Sequence, residues 1–256
     1  MKLIDTHCHL NDETLYKDLD NVISRALQTG VEKMIVIGWD KQSSELAIKI
    51  AEQYPFIYAC VGIHPENLDG VDNNILESTL NLSSHPKVVG IGEIGLDYHW
   101  TKDLDKREIQ KDFFIKQIEY ANKVGLPISI HSREAFQDTL DILKEHKPLH
   151  GGVMHCYSGS VEGLQDVINL GLHIGLDGPV TFKNAKTPKE VAIEVPLDRL
   201  VLETDCPYLS PHPLRGTVNE PANLILVADE IATLRNMSKK HLLEVVYDNS
   251  CKLFNL

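Results

Sequence analysis

The chain has 256 residues, 43% hydrophobic and 24% charged, with a formal net charge of −12 at pH 7. That charge excludes a protein that coats duplex nucleic acid through a broad basic surface, though not one that holds a single phosphate in a cationic pocket or beside a bound metal ion. Five cysteines with no C-x-x-C, a start that enters a strand at once, and no apolar run of membrane-spanning length predict a cytoplasmic protein without disulfides or a membrane anchor.

The first element is "LIDTHCHL", residues 3 to 10. In a strand, His7 and His9 point to one face and Cys8 to the other, so two imidazoles stand side by side where they could grip one metal ion. A helix-period segment follows over 15–29 and ends at Gly30. Short apolar runs then recur over 33–38, 57–63, 88–93, 127–131, 152–155, 172–176 and 200–203. They are rich in Val and Ile and continuous rather than alternating, as parallel strands buried on both faces are.

Charged, helix-period segments separate them. Ser43-Ser44 and Asp72 read as N-caps, and the segments over 105–124 and 161–170 end at Gly125 and Gly171. A weaker helix over 187–195 carries Pro188 in its first turn. Eight strand-helix units in this length predict an α/β protein, one (β/α)₈ TIM barrel over residues 1–256. The alternative, a doubly wound open sheet, lacks its phosphate-binding glycines, since "THCHLND" has none.

In such a barrel the site lies at the C-terminal strand ends. There stand His7 and His9, His64 of "VGIHP", Glu93 and Asp97 of "GEIGLDYHW", His131 and Arg133 of "ISIHSREA", His155 of "MHCYSGS", and Glu203 and Asp205 of "LETDCPYLSP". Histidine and carboxylate ligands are the usual set for Zn²⁺, Mn²⁺ or Mg²⁺ in hydrolytic sites. Six or more are too many for one ion that keeps an open position; two divalent ions bridged by a carboxylate fit better.

Taken together, "DTHCHL", "GIHP", "GEIGLDYHW", "HSREA", "HCYSGS" and "ETDCPYLSPHPLRGTVNEP" resemble, in order and from residue 5 to residue 221, the TatD family of metal-dependent deoxyribonucleases within the amidohydrolase-like barrels. The resemblance implies a TIM barrel and a two-metal phosphodiesterase acting on single-stranded or end-accessible DNA by metal-activated water, in the manner of a 3′–5′ exonuclease. Carried over by residue, it gives one metal His7, His9, Glu93 and Asp205, and the other Glu93, His131 and His155, with Glu93 bridging. Asp205 would also serve as general base, and His64 and Arg133 would hold phosphate oxygens. The chain departs from the family pattern at Thr217 and Val218, where basic residues are frequent, and at Cys206, where a small residue is frequent. The first departure weakens the case for a long nucleic-acid track.

Other readings compete at several positions. The same metal core could hydrolyse an ester, lactone or aminoacyl-tRNA bond, which an acidic surface accommodates more easily, or the barrel could bind a metal or a partner without catalysis. Asp5 and Glu203 share the ligand face and could accept ring N–H groups of the histidines, or be carboxylates satisfied by backbone amides. Asp97 is expected to shape its loop or bind a neighbour. Trp39 and Trp100 could stack on bases, but packing is the commoner role. His173, at the start of the seventh strand, is expected to be structural. The sequence does not set the oligomeric state, and it is compatible with a monomer.

Overall fold

The computed structural model describes residues 2–256. Eight strands, β1 (Leu3–Cys8), β2 (Val31–Ile37), β3 (Ile57–Val61), β4 (Val88–Asp97), β5 (Ile128–Arg133), β6 (Gly152–Met154), β7 (Leu172–Leu176) and β8 (Leu200–Leu202), pair in chain order. Every pairing is parallel. Every residue of β1, β4, β6 and β8 is buried; β6 and β8 carry no polar side chain, while β1 and β4 bury Asp5, Thr6, His7, Glu93 and Asp97 among their apolar residues. Ten helices cover the outside: α1 (Glu13–Tyr16), α2 (Leu19–Gln28), α3 (Lys41–Gln53), α4 (Asn73–Leu80), α5 (Leu104–Val124), α6 (Phe136–Glu145), α7 (Val161–Asn169), α8 (Thr187–Glu194), α9 (Leu224–Leu234) and α10 (Lys239–Phe254). This is the (β/α)₈ barrel that the alternating pattern predicts. None of the helices is long and apolar enough to cross a membrane.

The seam between the last and first strands is closed at the level of the rim. Asp205 N donates to His7 O at 2.9 Å, and His9 N donates to Cys206 O at 2.9 Å. One layer below, the Asp5 carboxylate accepts from Thr204 N at 3.0 Å and Thr204 Oγ1 at 2.6 Å, doing the work of a missing backbone acceptor. Asp5 is therefore the backbone-satisfied carboxylate of the two alternatives, not a partner of an imidazole.

Several local readings change. The expected first helix, over 15–29, is two: Asp12 caps the single turn of α1, and the chain breaks at Asp18, whose φ of −126° and ψ of 27° are not helical. The N-cap of α3 is Asp40 rather than Ser43 or Ser44. Its side chain accepts from Ser43 N at 2.7 Å while Ser43 Oγ accepts from Asp40 N at 2.9 Å, a capping box with serine at the third position. Asp72 caps α4, and Gly125 ends α5 at φ 78°, a conformation that glycine adopts without cost.

The apolar interior falls into two parts. A large cluster lies between sheet and helices. A small one, Ile35, Ile37, Cys60, Val89, Val153 and Val201, joined by Phe254 of α10, forms separately. Strand alternation places the small cluster inside the barrel. Two residues further along the same faces, Val153 gives way to His155 and Val201 to Glu203. The change from hydrocarbon to imidazole and carboxylate marks the floor of the cavity.

Candidate metal centre

Three histidines are held in the same manner. His9 Nδ1 lies 3.2 Å from Ile37 O, His155 Nδ1 lies 3.0 Å from Glu203 Oε1, and His7 Nδ1 lies 3.3 Å from Ser129 Oγ. A carbonyl or carboxylate can only accept, so Nδ1 of His9 and of His155 carries the proton. Ser129 allows the same tautomer at His7. Their Nε2 atoms then present lone pairs to one spot: His7 Nε2 and His9 Nε2 are 3.3 Å apart, and the His7 and His155 rings stack at 3.5 Å. Each ring is tethered to a different strand or to the residue just past one, His7 to β5, His9 to β2 and His155 to the chain after β8, so the barrel sets the spacing.

Two carboxylates face these nitrogens. Asp205 Oδ1 is 3.3 Å from His9 Nε2, 3.6 Å from His7 Nε2 and 3.8 Å from His155 Nε2. Glu93 divides its oxygens. Oε2 faces His7 Nε2 at 3.5 Å and His9 Nε2 at 3.9 Å. Oε1 faces His131 Nδ1 at 2.8 Å and His155 Nε2 at 3.6 Å. The structure thus brings His7, His9, Glu93, His131, His155 and Asp205 together at one rim. His7 with His9 and Asp205, His7 with Glu93 and His155, and His64 with Glu93 and His131 each form a group compact enough for one ion.

His64 also approaches Glu93, with Nε2 3.6 Å from Oε1. Its Nδ1, however, accepts the Glu66 backbone N–H at 3.2 Å, which places the proton of the neutral ring on Nε2. His64 is therefore a hydrogen-bond donor toward the cavity rather than a metal ligand. Arg133 lines the same cavity, of about 700 Å³, and makes no ion pair among the described residues. The adjacent Glu134 is taken instead by His99 at 2.6 Å and Lys102 at 3.2 Å.

The protonation pattern tests whether the group suits a cation. Burial disfavours the charged form of Glu93, but His64, His155 and the hydrogen bonds of His131 and His7 hold its carboxyl well below the usual range. Asp205 is lowered in the same way, with His155 and His9 outweighing burial. Burial also opposes the imidazolium of His131, yet Asp97 and Glu93 pull it up to about 9. His155 is raised well above its ordinary value by Glu203, Asp205 and Glu93 against the same opposition. The ionised carboxylates draw protons onto His9, His131 and His155, whereas burial and the neighbouring His155 lower His7, and burial lowers His64 to about 3. A divalent cation would satisfy the same carboxylates and lone pairs, so the donor set fits a metal.

Two side chains went unread in the sequence. Ser129 stands two residues before His131 on the same face of β5, so strand alternation could have found it. Asp177, directly after β7, is buried behind His155 with Oδ2 unpartnered, and strand-end position alone would have flagged it. Asp97 does both things expected of it: Oδ1 accepts from Trp100 N at 3.0 Å, and Oδ2 holds His131 Nε2 at 2.9 Å. Cys8 is turned away as alternation requires, its thiol donating to Ile35 O at 3.3 Å.

Comparison with known proteins gives this geometry its relatives. Residues 4–255 match the family described as TatD related DNase. YabD of Bacillus subtilis (strain 168), an uncharacterized metal-dependent hydrolase, is 45% identical over 255 residues, covering 99% of this chain and 99% of that protein. YcfH of Escherichia coli (strain K12), named likewise, is 36% identical over 261 residues, covering 100% of this chain and 97% of its own. Among solved structures, YjjV, a TatD homolog from Escherichia coli K12, is similar with a TM-score of 0.94 at 31% identity, covering 99% of this chain and 98% of that one.

Proposed function

This chain belongs to the TatD related DNase family and is a metal-dependent hydrolase; from that premise we propose that it is a two-metal phosphodiesterase removing nucleotides from the 3′ end of single-stranded or end-accessible DNA. The observation that carries the reading is the division of Glu93, whose two oxygens face two different sets of imidazoles. His7, His9, Asp205 and Glu93 Oε2 would hold one ion, and Glu93 Oε1, His131 and His155 the other. Divalent ions of the Mg²⁺, Mn²⁺ or Zn²⁺ class supply Lewis acidity there when bound, acidifying water and neutralising phosphoryl charge.

The protein's own groups do the rest. Asp205 lines the cavity with its side chain 14% exposed and is kept ionised, so it can accept the proton of the attacking water. Its φ of 54° is a left-handed conformation, a local strain that the seam hydrogen bond to His7 holds in place. His64 Nε2–H donates to a non-bridging oxygen, and the unpaired Arg133 can donate two parallel bonds to a phosphate. Asp97 and Glu203 keep His131 and His155 aimed inward.

A second reading, hydrolysis of an ester, lactone or aminoacyl-tRNA bond, draws support from the net charge of −12 and from Glu66 in the cavity wall. The two are separated by assaying single-stranded DNA, RNA, p-nitrophenyl phosphodiesters and aminoacyl esters with Mg²⁺, Mn²⁺ or Zn²⁺ added. We expect metal-dependent cleavage of the phosphodiesters and a preference for DNA. Cleavage of carboxyl esters with phosphodiesters untouched would transfer the assignment. We place the reaction in the cytoplasm, where the five free cysteines stay reduced.

A further inference from the structure

Trp100 lies at the lip of the cavity and is 64% exposed, although packing is the commoner fate of a tryptophan. Its position is nevertheless fixed. The Trp100 backbone N–H is held by Asp97, the same carboxylate that grips His131, so the backbone from which the ring projects is tied to the site through one side chain. His99 meets the ring edge-on with centroids 4.7 Å apart, and the Arg133 guanidinium lies 5.7 Å from its centroid. Glu134, the acid nearest in sequence to Arg133, is turned aside at φ 54° and occupied by His99 and Lys102. A cation in no ion pair among the described residues thus stands over one side of a planar ring that remains 64% exposed. Trp39, the other tryptophan, lines the cavity too but is half-buried against His9 at 5.4 Å, and no cation stands over its ring among the described residues.

We propose that Trp100 is the platform on which the base of a terminal nucleotide stacks while Arg133 holds that nucleotide's phosphate. The proposal deepens the phosphodiesterase reading and rests on it: the substrate becomes a phosphodiester flanked by a planar base rather than a simple phosphate ester. The acidity of the protein favours this arrangement. A chain of net charge −12 gains little from counterion release along a polynucleotide, whereas stacking supplies affinity without cations and tolerates any base. The closeness of Trp100 to Arg133 limits the recognised unit to about one nucleotide.

The test compares wild type, Trp100→Ala and Trp100→Phe, all loaded with the same divalent metal. Calorimetric binding of dAMP is set against 2-deoxyribose 5-phosphate, which keeps the phosphate and lacks the base. Wild type should prefer dAMP by about 5- to 150-fold, the range that one stacked base supplies. Trp100→Ala should bring that preference to within about twofold with an unchanged melting temperature, and Trp100→Phe should restore part of it. Quenching of tryptophan fluorescence by dAMP should disappear in Trp100→Phe. In turnover by Trp100→Ala, an oligonucleotide with a 3′-terminal adenine should lose the KM advantage that it has with wild type over the same strand ending in an abasic tetrahydrofuran residue. A wild type without the preference, or a Trp100→Ala variant that keeps it, overturns the platform whatever the enzyme cleaves. A platform upheld by binding, in an enzyme that turns over no phosphodiester, overturns the phosphodiesterase reading alone.

Discussion

Glu203 makes the sharpest test of how the centre is held. It is wholly buried, and its Oε1 accepts both His155 Nδ1–H at 3.0 Å and Cys156 N–H at 2.5 Å. Gly175 leaves it room, since a Cβ there would fall 2.5 Å from Oε2. Glu203→Gln keeps the volume and can keep both hydrogen bonds through the amide oxygen, but it removes the charge that most strongly favours a basic His155. A partner of this kind is worth about 10–100-fold in metal affinity, or roughly 1.4–2.7 kcal/mol. The assay is competition against a chromogenic chelator at fixed pH for wild type, Glu203→Gln, His155→Ala and the double variant. If Glu203 acts through His155, the double variant should match His155→Ala, giving a coupling energy close to the whole Glu203→Gln effect. Additive losses, or wild-type affinity in Glu203→Gln, would refute the reasoning.

Asp205→Asn should fold, retain metal and lose turnover by about 10²–10⁴ at full occupancy, measured with metal content alongside; near-wild-type kcat would send the proton elsewhere. Arg133→Ala should raise KM for a phosphodiester by about 10- to 150-fold, from the roughly 1.5–3 kcal/mol of charge-assisted hydrogen bonds lost, with unchanged kinetics removing it from the site. Glu93→Ala should weaken both metal equivalents and His155→Ala mainly one, as metal titration would show. Away from the centre, burial lowers His173 to about 4, and its Nδ1 has no partner. A folded state that binds fewer protons than the unfolded chain loses stability as pH falls from about 6.5 toward 4. Denaturant unfolding of wild type should therefore lose up to about 2 kcal/mol more than His173→Gln between pH 7 and pH 5; parallel losses in the two proteins would contradict this.

Much of the fold was legible because parallel strands buried on both faces leave continuous Val and Ile runs, and because glycine and aspartate mark helix ends. The rim was legible because histidines and carboxylates have no other reason to end such strands. Pairing across the barrel was not. His7 meets Ser129, 122 residues away, only because β1 and β5 face each other across the interior. The register of β4 against β5 slips between Ile91 and Ile94, which decides that Asp97 lies level with Arg133 and within reach of His131. Periodicity fixes the face on which a side chain stands and is silent on the height at which it meets its neighbour. That is why Asp5 and Glu203, alike in the sequence, took different partners.

The seam carries a consequence of its own. Asp205 and His7 offer side chains to the centre and, through N–H and C=O, supply the bond that joins the last strand to the first, while His9 makes the next one. The hoop and its clasp are the same residues. Whatever binds between those side chains pulls on both margins of the sheet at once, so its affinity is returned as resistance of the closed ring to opening: a ligand at a thousand times its Kd adds about 4 kcal/mol. The amides of His9 and Asp205, at the seam where no strand ladder joins β8 to β1, would then exchange with solvent at a rate set by the load in the centre rather than by the strands themselves.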